Sequence, residues 1–490
     1  MSITQYSKKI GLLAGPFAFL IIMFVWSPSG LTIESKAILA STLWVAIWWV
    51  SEAIPIAVTS VLPIVLFPLS GGLSLKATTA SFGHKYIFLF LGGFLLAIAI
   101  EKWNLHKRIA LSIINLIGTN ANNVIMGFMV ATAFLSMWIS NTATAVMMVP
   151  IGMAVVAQFS DNPDTPQKED WIFGKALMLA IAYSASIGGI ATLIGTPPNL
   201  VLAGVIKETY DIEISFLQWM TFGLPISLLL LVISWKYLTS VAFDFSQEEF
   251  PSGRALIKKQ LAILGKIGIE EKRVLIVFVL TALLWIFRSK LQYFLPHLDD
   301  PIIAIIAGIA LFIIPNKDKT SSLLIWRDST RVPWGIILLF GGGMALAEGF
   351  KSSGLAVWIG SNLTSLQGVS IIVLILVIIA SVNFLTEITS NVATTAMLLP
   401  VLAPMSITLD IHPYMLMVSA TLAASCAFML PVATPPNAVV FGSGYLKMGD
   451  MIKAGLWMNL ISIIVLFLFV YFFLANIWGF DPSLFPLDLK

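Results

Sequence analysis

Two pairs of polar, helix-breaking motifs interrupt strongly apolar sequence, and they occur twice in the same order. Ser140-Asn141-Thr142 is followed by Thr196-Pro197-Pro198-Asn199, and Ser390-Asn391-Val392 is followed by Thr434-Pro435-Pro436-Asn437. Irregular backbone is tolerated inside a hydrocarbon layer only where protein buries it or a wet cavity meets it. Two such places in matching order imply one central site built by two related halves.

The apolar setting is general. Of 490 residues, 58% are hydrophobic and 11% charged, with a mean hydropathy of +0.94; a soluble protein carries about 25% charged residues. The fold class expected is an all-α polytopic membrane protein. A net charge of +3 gives no case for a nucleic-acid partner. The lone Cys426 rules out a disulfide framework or a thiolate metal site, and His84, His106, His297 and His412 have no ligand spacing. No organic cofactor is expected. The run 10–26 is long for a signal core and lacks a small-residue cleavage site, so it is taken as the first span.

A spanning helix needs about 20 mostly apolar residues. Eleven candidates lie near 10–26, 37–51, 54–70, 87–101, 176–206, 216–240, 274–290, 302–315, 333–350, 414–444 and 455–478. Two further apolar stretches, 124–157 and 370–403, carry the Ser-Asn motifs in their middles and are expected to be re-entrant hairpins. With the N-terminus inside and the hairpins not crossing, twenty of the 28 Lys and Arg residues fall inside and eight outside, in keeping with the positive-inside rule. The C-terminus is then outside. The polar stretch 242–273, with Arg254, Lys258, Lys259, Lys272 and Arg273 among Glu248, Glu249, Glu270 and Glu271, suggests a helical cytoplasmic linker, for which a solvated surface helix is a sufficient account.

The duplication extends beyond the motifs. FLSMWISNTATAVMMVP at 134–150 and FLTEITSNVATTAMLLP at 384–400 agree at eight of seventeen positions without a gap, at an offset of 250. The same offset aligns Gly92-Gly93 with Gly342-Gly343 and Leu105 with Leu355, while Thr-Pro-Pro-Asn repeats at 238. On the topology above, 87–101 and 333–350 run in opposite directions, so the halves are inverted. Inverted repeats with broken helices and a midplane site are the build of secondary transporters. The expected organisation is an N-terminal span and loop (1–36), a first repeat (37–241), the linker (242–273), a second repeat (274–478) and an external tail (479–490).

The motif chemistry points the same way. Ser, Thr and Asn supply neutral oxygens that suit a hard monovalent cation, and a Pro-Pro break frees backbone carbonyls because proline has no N–H and clashes with the preceding turn. Sodium can therefore be held without a carboxylate. The same residues donate hydrogen bonds, and helix N-termini at the breaks favour anions. Together these suggest co-transport of sodium with an anion. A single Ser, Thr or Gly-Gly in a membrane helix more often only packs; the duplicated Asn and Pro-Pro-Asn favour function, because each buried Asn needs a partner. Among charged residues, Glu387 lies three before Ser390 and is a functional candidate, with a structural partner an equal reading. Glu52 falls at a turn, Glu101 and Lys102 at a solvated helix end, and Glu348 where it could face water. Trp44, Trp48, Trp49, Trp457 and Phe472-Phe473 suggest lipid-facing or interfacial belts.

The tracts SNTATAVMMVP, GTPPN, TSNVATTAMLLPV and CAFMLPVATPPNAVVFGSG, with WWVSEAIPIAVTSVLPIVLFPL near the N-terminus, resemble the divalent anion:sodium symporter family of dicarboxylate and citrate carriers. The resemblance runs from about residue 43 to 460. It implies eleven spans, two re-entrant hairpins, a homodimer in the bacterial plasma membrane and an elevator-like motion. It implies one sodium site at Ser136, Ser140, Asn141 and the backbone near Gly195, and another at Thr386, Ser390, Asn391 and the backbone near Ala433. Substrate carboxylates would be held by Asn141, Thr142, Ser390 and Asn391, with Thr196, Thr434 and Pro435. Val392 stands where the family has a threonine, removing a hydrogen bond to a charged group worth roughly 1.5–3 kcal/mol.

The function expected is sodium-coupled import of C4 dicarboxylates such as succinate, malate or fumarate. A sodium-independent dicarboxylate exchanger and a carrier of citrate or sulfate are the alternatives. An intramembrane enzyme would need a metal cluster or a nucleophile with its base, and the sequence offers neither. A channel would show flux without saturation.

Overall fold

The computed structural model describes residues 3–26, 28–117, 120–160, 167–243, 251–364 and 367–486, and these are almost entirely helical. Most of the acidic tract Asp161–Asp170, with Glu248 and Glu249, lies outside the described residues, and the side chain of Arg254 is likewise not described. Among the described residues, eight helices are long and apolar enough to cross a membrane: Ser7–Val25, Ile33–Ser51, Leu75–Lys102, Ile172–Ile190, Phe216–Ala242, Ile269–Leu291, Asn391–Thr408 and Met448–Trp478. The stretches expected at 302–315 and 333–350 are the helices Asp300–Ile313 and Trp334–Ser352.

Three expected spans are interrupted. The 54–70 stretch, taken as one helix from its composition, is two, Ile56–Thr59 and Leu62–Ser70, because Pro63 cannot donate to the preceding turn. The other two are the predicted Pro-Pro breaks. Gln167–Ile190 stops and Pro197–Tyr210 resumes; Pro413–Ala424 stops and Pro435–Phe441 resumes. In both resumed helices proline occupies the first turn, where a missing N–H costs nothing.

The stretches containing the Ser-Asn motifs fold as paired helices with the motif at the tip. Ala121–Ser136 and Asn141–Ser160 form the first hairpin, Ile371–Leu385 and Asn391–Thr408 the second. Both arms of the first hairpin pack on Gln167–Ile190, and both arms of the second pack on Pro413–Ala424. The resumed helices cross over. Pro435–Phe441 packs on Gln167–Ile190 and Asn141–Ser160, while Pro197–Tyr210 packs on Asn391–Thr408 and Pro413–Ala424. Each half therefore completes the surroundings of the other, and the tips and breaks lie in one interleaved centre.

Glycines allow the close approaches around it. A Cβ on Gly92 would lie 2.4 Å from the backbone of Ala304, and one on Gly342 would lie 2.4 Å from the Ser60 carbonyl. The aligned Gly-Gly pairs are packing residues in both halves.

Several charges at helix ends are paired. Glu52, in left-handed conformation after Ile33–Ser51, is exposed and 3.6 Å from Lys8. Lys102 bonds Asp328 at 2.7 Å and Glu101 bonds Arg331, so this end carries ion pairs rather than free solvated charges. Glu348 is half-buried and shares a hydrogen bond with Glu208. A closed ring of two cations and two anions links distant segments: Lys85 bonds Glu213 at 2.7 Å and Asp299 at 2.8 Å, and Arg288 bonds the same two residues at 2.6 Å each. Trp457, Phe472 and Phe473 are exposed as a belt requires. Trp49 is not part of one: it is buried, and its indole donates to Ser60 at 3.1 Å.

Candidate functional site

At the first hairpin tip Ser136 is fully buried in the last turn of its helix. Its hydroxyl approaches the Asn141 side-chain oxygen at 2.5 Å and the Ala185 carbonyl at 2.7 Å. At the second tip Thr386 repeats the arrangement, with Asn391 Oδ1 at 2.7 Å and the Ala424 carbonyl at 3.0 Å. The hydroxyl-bearing residues are 250 positions apart, as are the two asparagines.

A hydroxyl carries one proton. In each half it faces two acceptor oxygens within 3.0 Å, so one oxygen–oxygen contact has no proton in it. The first tip holds a further oxygen. Turned over, the Asn141 amide would donate to Ser136, to Ala185 at 3.2 Å and to the Gly195 carbonyl at 3.3 Å. With the amide oxygen inward, Ser136, Asn141, Ala185 and Gly195 present an oxygen cluster that a cation balances. With the nitrogen inward, the cluster satisfies itself. This donor set fits sodium, and it contains no carboxylate. Among the described residues no group of three or more His, Cys, Asp or Glu could hold a metal ion.

Glycine makes the approach possible. A Cβ on Gly189 would lie 2.7 Å from Asn141 Oδ1, and one on Gly195 would lie 2.5 Å from the Gly189 carbonyl. Gly188 meets the backbone of Ala133 in the hairpin as closely. Sequence reasoning missed this Gly188-Gly189 pair, although its place just before the break was visible.

The asparagines of the two Thr-Pro-Pro-Asn motifs have a different task. Asn199 is fully buried, and its amide nitrogen donates to the carbonyls of Gly189, Ile190 and Thr192 at 3.2, 3.3 and 2.8 Å. Asn437 does the same for Ala427 and Leu430 at 3.2 and 3.0 Å. Each staples the unwound segment that precedes its own helix.

Break and tip are joined differently in the two halves. In the first, Thr192 donates to the Met137 carbonyl at 2.6 Å and accepts from Gly195 N–H at 3.0 Å. In the second, Glu387 stands at the place of Met137, 250 residues on. Its buried carboxylate accepts the backbone N–H groups of Phe428, Met429 and Leu430 at 2.7, 2.9 and 3.0 Å. Asn459 supplies a fourth donor at 2.8 Å. The Glu387 carboxyl group thus lies one residue from Thr386, ringed by donors.

The remaining predicted residues occupy the tips and resumed helix starts. Ser140 accepts from Ala143 N–H at 3.2 Å, whereas the Ser390 side chain makes no cap bond. Thr196 and Thr434 are buried with extended backbone; Thr434 accepts from Asn437 N–H at 3.3 Å and Thr196 makes no such cap. Ala433 is buried, and its carbonyl makes no contact comparable to that of Gly195 among the described residues. Thr142 and Pro435 are exposed and Val392 half-exposed. The geometry joins Ser136, Asn141 and Gly195, and separately Thr386 and Asn391. Helices beginning at Asn141, Pro197, Asn391 and Pro435 have no acid in their first turns, which leaves their positive ends uncompensated.

Interleaved broken helices and hairpins, with twin oxygen clusters at the breaks, define a class of polytopic helical membrane protein. The family model for the sodium:sulfate symporter transmembrane region matches residues 6–478. The chain belongs to that family. It is 46% identical to the sodium-dependent dicarboxylate transporter SdcS of Staphylococcus saprophyticus and 48% identical to SdcS of Staphylococcus aureus, each over 99% of this chain and 94% of the relative. Among solved structures, the YdaH transporter of Alcanivorax borkumensis superposes with a TM-score of 0.57 at 16% identity, covering 98% of this chain and 99% of its own. MtrF of Neisseria gonorrhoeae does so with 0.56 at 11%, covering 98% and 96%. At such identities they support the fold alone.

Proposed function

We propose that this chain is a sodium-coupled secondary transporter that imports C4 dicarboxylates such as succinate, malate or fumarate. The observation that carries the reading is the duplicated group of hydroxyl, amide and carbonyl oxygens at Ser136–Asn141–Ala185 and Thr386–Asn391–Ala424, in which one hydroxyl meets two acceptor oxygens whenever the asparagine oxygen faces inward. The names of the SdcS relatives support both the ion and the substrate class.

Sodium is co-substrate here. Ions at Ser136, Ser140, Asn141 and Gly195, and at Thr386, Ser390, Asn391 and Ala433, place positive charge beside the hairpin tips. Asn141, Thr142, Ser390 and Asn391 then present donors to the substrate carboxylates, with Thr196, Thr434 and Pro435 at the resumed helix starts. The dianion enters a site that the ions and four helix N-termini have made positive. Loaded together, ions and anion nearly cancel, which lowers the cost of carrying them through a low-dielectric layer.

The hairpins and both broken helices pack into one another, which supports their moving as one body against the remaining helices in an elevator-type step. A homodimer in the bacterial plasma membrane, with the N-terminus inside and the C-terminus outside, completes the reading. Uptake of labelled succinate into proteoliposomes, with and without an inward sodium gradient, tests it. Uptake that needs the gradient is expected. Uptake indifferent to sodium, or driven only by internal dicarboxylate, would make the protein an exchanger. One observation favours a second substrate: Val392 offers no hydroxyl at the second tip, and a smaller dianion such as sulfate needs fewer donors there. Sulfate competing with succinate at equal concentration would move the assignment.

A further inference from the structure

A groove of about 740 Å³ opens between the helices Phe216–Tyr237 and Met448–Phe469, away from the hairpin tips. Lys236 and Lys453 stand at its rim with Ser240. Its walls are apolar, and Val232, Val241 and Trp457 on them are 45%, 77% and 55% exposed. Below the rim Tyr237 donates to the Ala454 carbonyl at 3.1 Å and ties the two helices together.

The charges there do not cancel. Asp450 is the acid lining the groove, but its oxygens are taken by Lys175 at 2.9 Å and by the Lys447 backbone N–H at 3.0 Å. Neither Lys236 nor Lys453 has a carboxylate partner among the described residues. The Lys236 ammonium lies 4.8 Å from the centre of the Trp235 ring, which fixes its position while leaving its protons free. The charge count assigns this end of both helices to the cytoplasmic face, where anionic lipids create a negative surface potential. Trp457, an indole at the border of polar rim and apolar wall, suits the headgroup level of a bilayer.

We propose that this groove is a binding site for an anionic glycerophospholipid of the inner leaflet. Its phosphate sits between Lys236 and Lys453, and its upper acyl chain lies along Val232, Trp457 and Ile461. Zwitterionic lipids fit the same walls. Selectivity comes from the two ammonium groups, because a net-neutral headgroup brings its own cation to the site. Each lysine near a membrane surface favours anionic lipid several-fold, so the pair gives a preference of roughly 10-fold or more.

The test is native mass spectrometry of the purified full-length chain with phosphatidylglycerol or phosphatidylcholine of matched acyl chains. The wild type is expected to retain phosphatidylglycerol about 10-fold better. The double variant Lys236→Gln/Lys453→Gln loses that preference while binding phosphatidylcholine as before, and Lys236→Arg/Lys453→Arg keeps it. Equal retention of the two lipids by the wild type would overturn the proposal, even without a folded variant. So would an unchanged preference in the Gln variant, or displacement of the lipid by equimolar soluble glycerol phosphate, which would make the site one for a free phosphate.

Discussion

Asn459 donates its side-chain amide to the Glu387 carboxylate at 2.8 Å, and that carboxylate holds three consecutive backbone N–H groups of the second helix break. Glu387→Gln halves the acceptor capacity and, with its amide nitrogen in place of Oε2, turns a donor toward the Leu430 N–H. Hydrogen bonds to a charged group contribute about 1.5–3 kcal/mol each. The variant is expected to melt at a lower temperature and to need at least several-fold more sodium for half-maximal uptake, with Glu387→Asp between it and wild type. A sodium titration of uptake beside a thermal melt would show it, and wild-type values in both would remove Glu387 from the site's support.

Asn141→Ala and Asn391→Ala each delete an amide that meets a hydroxyl at the hairpin tip. Sodium-driven uptake should fall below one-hundredth of wild type, while membrane insertion and oligomeric state stay unchanged. The control is size-exclusion chromatography of the solubilised variants. Normal uptake in either would refute the site assignment.

Val392→Thr restores a hydroxyl at the second tip. A gain of one bond to a charged carboxylate corresponds to roughly 10-fold tighter binding. Competition among succinate, citrate and sulfate should shift, with little change in sodium dependence. An unaltered ranking would place residue 392 away from substrate.

The ring of Lys85, Glu213, Arg288 and Asp299 predicts a pH signature. Burial would raise the Glu213 carboxyl, but hydrogen bonds from Lys85 and Arg288 outweigh it and bring the group down from 4.5 to about 2. A carboxyl depressed in the folded state stabilises above its unfolded value and loses that contribution as pH falls toward the folded one. Glu213→Gln should therefore lower the melting temperature by a constant amount from pH 7 to 5. That deficit should shrink between pH 4.5 and 2. A deficit that grew with acidity would contradict the ring's role.

Much of this was legible in the residues, for identifiable reasons. Proline lacks a donor, so both Pro-Pro breaks fell where they were expected. The 250-residue offset alone pairs Ser136 with Thr386 and Asn141 with Asn391. The carbonyls of Ala185 and Ala424 were not legible, because every residue has a carbonyl and only the fold aims it. The duplicated Pro-Pro-Asn motif favours function over packing, yet Asn199 and Asn437 are staples, since composition cannot separate a ligand from a staple. Trp49 falls among the expected belt residues, but its burial against Ser60 depends on a neighbouring segment that its own helix does not reveal. The partners in the ionic ring are up to 214 positions apart, and no local pattern connects them.

The staples at Asn199 and Asn437 have a consequence for timing. They are made of protein alone, so the gaps in both helices exist before any ion arrives. Sodium has no helix to melt on entry; what remains is to shed its water and turn an amide. On the proposed mechanism, loading is then a local event, and the slow step belongs to the larger movement that follows.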